Sequence, residues 1–132
     1  MATPDYQQSP FVQAYPETSE FWAAAAEGKF LLKSCKACAK AHWYPRVVCP
    51  LCGSDDTHWI ETSGRGTIYS YSVLERADPS YVLVYVRLDD GPILISNLLK
   101  AQPDAIQIGA AVQARLMPVE DGRSMPFFEL AD

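Results

Sequence analysis

Residues 1–28 contain four carboxylates and neither a lysine nor an arginine. Histidine is scarce too, at two in 132 residues, and no cysteine occurs before Cys35 or after Cys52. No apolar run approaches the roughly 20 residues that span a bilayer; "FWAAAA" is far too short. The opening "MATPDYQQSP" has no basic stretch followed by an apolar one, so no secretory signal is expected. These absences point to a cytoplasmic protein that keeps its thiols reduced, which argues against disulfides. P-loop, GxGxxG, GxSxG and HExxH motifs are also missing. With only two histidines, a Ser/His/Asp triad is not expected.

The chain is 48% hydrophobic and 20% charged, which suits one or two small globular modules. Eleven Lys and Arg against sixteen Asp and Glu give a formal charge of −5, which opposes general affinity for nucleic acid or anionic membranes. The charge is uneven. Residues 29–65 hold six bases (Lys29, Lys33, Lys36, Lys40, Arg46, Arg65) against three acids, and residues 66–132 hold five against nine. A basic island therefore sits in an acidic protein, and it coincides with the cysteines.

All four cysteines lie in "CKACAKAHWYPRVVCPLCG", as the pairs Cys35/Cys38 and Cys49/Cys52 with ten residues between them. A CxxC turn brings two sulfurs to one ion, and two such knuckles make the tetrahedral thiolate cage that Zn(II) prefers. A redox pair needs a CxxC at a helix start in a βαβ setting, and none is visible. Iron is the alternative metal, since "CPLCG" resembles the second knuckle of rubredoxin and four thiolates suit either ion. With the shell closed by sulfur, His42 and His58 are expected to be packing or surface residues. Lys36, Lys40 and Arg46 flank the thiolates and would offset their charge, or form a solvated basic face. Every cysteine is committed to metal and a four-sulfur shell has no open position, so no catalytic residue is expected.

Pro4, Pro10 and Pro16 among Tyr6, Phe11 and Tyr15 predict an extended arm over residues 1–16 rather than a helix. Thr18 or Ser19 can cap a short helix over "SEFWAAAAE", stopped by Gly28, with Phe21, Trp22 and Ala25 on one face. Alternation at Phe30, Leu32 and Ser34 predicts a strand leading into the first knuckle, and "THWIE" the strand that returns from the second. From Gly64 the texture becomes short β-type runs: "GRGTIYSYSVLE", "SYVLVYVRL", "PILISNLL", then a helical turn in "PDAIQIG", then "AAVQARLMP" and "MPFFEL". The expected fold class is mainly β: an arm and short helix over 1–28, a zinc ribbon over 29–63, and over 64–132 five strands matching the OB-fold, a partly open Greek-key barrel.

Taken together, "FWAAAAEGKFLLKSCKAC", "YPRVVCPLCGS", "GRGTIYSYSV", "GPILISNL" and "IGAAV" resemble, in order and spacing, a family of small bacterial and archaeal proteins. These join an N-terminal helix and a rubredoxin-like zinc ribbon to an OB-fold, and were first grouped as a domain of unknown function. Ala39 stands where the family usually has glycine. The resemblance implies an accessory subunit of a thiolase-like or lipid-transfer-protein-like enzyme doing Claisen, retro-Claisen or retro-aldol chemistry on acyl-CoA substrates. The nucleophilic cysteine and the acid/base histidine would then belong to the partner.

Under that expectation Tyr6, Phe11, Tyr15 and Trp22 are candidates for docking the partner. Lys36, Lys40 and Arg46 are candidates for contacting CoA phosphates or an acidic partner surface. A purely structural scaffold differs only in leaving turnover unaffected. The rival function is single-stranded nucleic-acid binding, with Tyr69, Tyr71, Tyr81 and Tyr85 as a stacking face. The acidic balance of residues 66–132 opposes it, and aromatics at alternating strand positions more often serve a barrel core or a protein interface.

Overall fold

Ser9 and Pro10 begin the first departure from the expected arm. The structure, a computed structural model, describes residues 5–76 and 78–131, so Pro4 lies outside the described residues. Instead of an extended segment, residues 6–18 form a tight turn at Tyr6–Gln8, a short helix α1 at Pro10–Ala14 and a second turn at Pro16–Thr18. The physical reason is positional. Proline breaks a helix interior but suits its first residue, and here the Ser9 hydroxyl accepts the Phe11 N–H at 3.2 Å as a cap.

Helix α2 runs Ser19–Ala26 and buries Phe21, Trp22 and Ala25, as expected. Thr18 stands at its N-cap without a capping bond. Its hydroxyl donates instead to the Tyr15 carbonyl at 2.7 Å and accepts from the Trp22 indole at 3.1 Å. Gly28 ends the helix at φ +85°, a left-handed conformation that glycine adopts freely.

Strands β1 (Leu31–Cys35), β2 (Ala41–His42) and β3 (Thr57–Glu61) form an antiparallel sheet in the order β2-β1-β3. Lys33 pairs with His42 on one side and Trp59 on the other. With two residues, β2 is too short to leave a pattern in the sequence. The core beside this sheet is aromatic: Phe21, Trp22, Phe30 and Trp43 meet edge to face at centroid distances from 4.8 to 6.2 Å, the arrangement favoured by ring quadrupoles.

This first compact unit ends at Thr62 and also takes in Leu116–Met125. Within it, Asp121 accepts a 2.7 Å bond from the Ser9 hydroxyl and a 2.7 Å bond from Arg123 Nε. The Arg123 guanidinium lies over the rings of Phe11 and Trp22, at 4.7 and 5.1 Å.

The second unit, Ser63–Arg115 with the chain from Pro126, holds a closed barrel. Its strands are β4 (Arg65–Leu74), β5 (Tyr81–Leu88), β6 (Ile93–Leu99), β7 (Ala111–Pro118) and β8 (Ser124–Leu130), ordered β4-β5-β6-β8-β7. Strands β6 and β8 are parallel, with Leu98 opposite Phe128. Ile68, Val84, Val86, Leu94, Val112 and Phe128 fill the interior. The barrel is closed where a partly open one was expected. The element between β6 and β7 is a single helical turn at Pro103–Ala105, as expected, because Pro103 and Gly109 leave too few residues to offset nucleation of a longer helix. Gly66 lies so close to β5 that a Cβ would collide with the Arg87 carbonyl oxygen.

Candidate metal centre and its relatives

Strand β1 delivers Cys35 at its last position, and the chain turns at once. The Ala39 amide bonds back to the Cys35 carbonyl at 2.8 Å, and the Cys35 amide to the Lys40 carbonyl at 3.0 Å. The second knuckle repeats the device: Gly53 N–H to the Cys49 carbonyl at 2.9 Å, and Cys49 N–H to the Ser54 carbonyl at 2.8 Å. Both turns need a residue of positive φ, supplied by Ala39 at +62° and Gly53 at +82°. Pro50 has no N–H, so the next amide, that of Leu51, reaches the Cys49 sulfur at 3.4 Å. The Thr57 hydroxyl donates to the Val47 carbonyl at 2.9 Å and ties the second knuckle to β3. No sequence signal marked that threonine.

The four sulfurs lie within 4.8 Å of one another, with Cys35 to Cys52 at 3.6 Å and Cys38 to Cys49 at 3.8 Å. A zinc–sulfur bond of about 2.3 Å in a tetrahedron separates sulfurs by about 3.8 Å. The donor set fits a tetrahedral metal ion. Electrostatics agree. The Cys38 amide holds the Cys35 thiol down at about 7, with burial opposing it and hydrogen bonds from Cys52 and the Ala37 amide assisting. At Cys52 the Ser54 amide acts downward, but hydrogen bonding to Cys35, burial, and Cys38 and Cys49 together push the thiol up to about 12. Four sulfurs this close do not all ionise without a cation among them.

Among the described residues no histidine joins the cluster. His42 is buried on β2, and burial, then the charges of Lys33 and Arg46, lower its pKa. His58 lies on β3 opposite Ser34. Lys36, Lys40 and Arg46 are exposed, and none is in an ion pair among the described residues.

Of the residues expected to dock a partner, Trp22 is only 2% exposed and belongs to the aromatic core, which takes it out of any docking surface. Phe11 and Tyr15 are exposed, and Tyr6 is half-buried. The four barrel tyrosines do not form one stacking face. Tyr69, Tyr81 and Tyr85 are exposed, whereas Tyr71 pairs with inward-facing Val84 and its hydroxyl reaches the Ile106 carbonyl at 3.4 Å. Exposed Arg87, Ile93 and Ile95 were not singled out from the sequence. For the two isoleucines the signal was available, because strand positions that should be polar on an exposed face are apolar there.

Residues 22–58 match the family described as ChsH2, rubredoxin-like zinc ribbon domain, and residues 59–116 match ChsH2, C-terminal OB-fold domain. A probable enoyl-CoA hydratase alpha subunit of Thermomonospora curvata is 32% identical over 117 residues, covering 84% of this chain. The match spans only 37% of that protein. A DUF35 domain-containing scaffold protein of Pyrococcus furiosus is 30% identical over 106 residues, covering 74% of this chain and 76% of the relative. Among solved structures, a chain of the "Ltp2-ChsH2(DUF35) aldolase" superposes with a TM-score of 0.75 at 30% identity, covering 87% of this chain and 94% of that one. No helix among the described residues is long and apolar enough to cross a membrane. With a ribbon of four convergent cysteines followed by an OB-fold barrel, and with relatives that share both parts, the chain belongs to the DUF35 family in its ChsH2-type form.

Proposed function

We propose that this chain is a zinc-bound, noncatalytic accessory subunit of a thiolase-like or lipid-transfer-protein-like enzyme performing Claisen, retro-Claisen or retro-aldol chemistry on acyl-CoA substrates. The observation that carries this is its likeness, over nearly the whole of the neighbouring chain, to a component of an Ltp2-ChsH2 aldolase. The names of the other relatives, a scaffold protein and a subunit of a CoA-thioester enzyme, support it.

Zinc is the ion of choice for a closed cage of four thiolates, with iron the alternative, and its work is structural. Residues 1–28 serve as arm and helix, 29–63 as ribbon and 64–132 as barrel. The exposed rings of Phe11 and Tyr15, with Tyr6, give the arm a means of holding the partner. Lys36, Lys40 and Arg46 offer cations to CoA phosphates or partner carboxylates. The enzyme's cysteine and histidine lie on the partner, and the complex is cytoplasmic.

Co-expression with a thiolase-like subunit from the same genome tests the proposal. Co-elution of the two, and loss of acyl-CoA turnover when this chain is omitted, are expected. A partner that is soluble and fully active alone would overturn it. The exposed tyrosines of the barrel favour one other reading, single-stranded nucleic-acid binding, which the acidic barrel region opposes.

A further inference from the structure

The outward positions of β5 and β6, from Tyr81 to Arg87 and from Ile93 to Leu99, hold a single charge, that of Arg87. Tyr85 stands directly opposite Ile95, and Arg87 opposite Ile93. Such pairs have Cβ atoms about 5 Å apart, so the four side chains are contiguous. On β4, Tyr69 follows inward-facing Ile68 and so points outward, and the Arg87 guanidinium lies 5.1 Å over its ring. The result is a three-strand apolar strip, with Tyr69, Tyr85 and Ile95 exposed by 52, 42 and 50%. A sheet face turned to water is normally polar, and a contiguous apolar one marks an interaction surface.

Its composition says what covers it. Tyr, Ile and Arg without Lys or Glu is the make-up of an interface centre. Arg87 has no carboxylate partner among the described residues. A guanidinium already stacked on a ring loses little side-chain freedom on pairing, and it offers a fork of donors to a carboxylate. Residues 66–132 hold five bases against nine acids, the wrong balance for a phosphate backbone.

We propose that the strip of Tyr69, Tyr85, Arg87, Ile93 and Ile95 is a second surface, besides the arm, by which this chain holds its enzyme subunit, and that it fits an apolar protein surface presenting a carboxylate to Arg87. The inference rests on the accessory-subunit reading and adds the site at which the partner binds.

Calorimetric titration of the full, metal-loaded chain into the purified thiolase-like subunit is the test. The double variant Tyr85→Ala/Ile95→Ala should weaken binding by about 30-fold or more, and Arg87→Glu by about 10-fold or more. Ile108→Ala, at a residue 70% exposed but off the strip, should stay within about 2-fold. Circular dichroism and metal content confirm that each variant is folded. Double-variant and Arg87→Glu chains that are folded, metal-loaded and bind like the parent would overturn the docking surface while leaving the accessory role intact. A parent chain that does not bind the subunit at all defeats the accessory role, and this site with it. Self-association in the ultracentrifuge that the double variant abolishes, or sub-micromolar oligonucleotide binding lost in Arg87→Glu, would assign the strip to a second copy or to nucleic acid and overturn the proposal.

Discussion

Ala39 and Gly53 each follow a CxxC pair by one residue, and each closes its turn with a bond to the first cysteine's carbonyl. At φ +62° alanine has a Cβ crowded by its own backbone, a cost of about 1–2 kcal/mol. Glycine avoids that cost but loses more freedom on folding. Ala39→Gly should therefore raise the stability of the metal-loaded chain by about 0.5–1 kcal/mol in urea denaturation. A loss of stability would show that the knuckle turn carries no strain. The sulfurs themselves fix a pH dependence. The Cys35 thiol, held by the Cys38 amide at about 7, lies below the usual thiol value of about 8.5 in an unfolded chain. A group depressed on folding stabilises above its unfolded pKa, and that contribution disappears as pH falls through the folded value. Metal binding acts in the same direction. Because protons compete with the metal for the thiolates, metal content by elemental analysis should be about one ion per chain at pH 8 and fall on acidification, with Cys49→Ser well under one throughout. Full metal content in Cys49→Ser at pH 8 would remove that residue from the ligand set.

At the scale of elements, polar contacts fix the arm beside a buried apolar residue, Val12. Burial acts to raise the pKa of Asp121, but the Ser9 hydroxyl, the Arg123 amide and the Arg123 guanidinium outweigh it and hold the carboxyl below its ordinary value. Its contribution is thus present at neutral pH and lost as pH falls below about 4. Arg123→Ala removes the ion pair and both ring contacts. It should cost about 1–3 kcal/mol and speed amide exchange in α1 more than in the barrel strands. Equal acceleration everywhere would mean that the arm is held by something else. None of this was legible in the sequence, because residue 9 and residues 121–123 are more than a hundred positions apart and carry no shared motif. Five barrel strands were legible, since each alternates between turn residues. Alternation misled at one point: Tyr69 and Tyr71 are two apart and read as one face, but the bulge inserts a residue and sends them to opposite sides. The four cysteines were fully legible, because CxxC fixes local geometry whatever the rest of the chain does.

For the whole molecule, charge decides what exposed aromatics bind. Three exposed tyrosines would offer stacking to unpaired bases, but residues 66–132, which carry them, hold five bases against nine acids, the wrong balance to follow a phosphate backbone. Labelled single-stranded DNA at about 0.15 M salt should show no sub-micromolar binding by fluorescence anisotropy, and a saturable sub-micromolar curve would reverse that assignment. Closure of the barrel has a wider consequence. With β4 paired to β5 on one side and β7 on the other, the barrel closes, and among the described residues it has no terminal strand on which a foreign strand can add itself by backbone bonds. Backbone bonds are indifferent to sequence, so an open edge would accept many strangers and invite fibrils. A sealed sheet can be approached only through its side chains. Its choice of companion is then written in a small number of surface residues, which can change from one relative to another without disturbing the ring of strands beneath them.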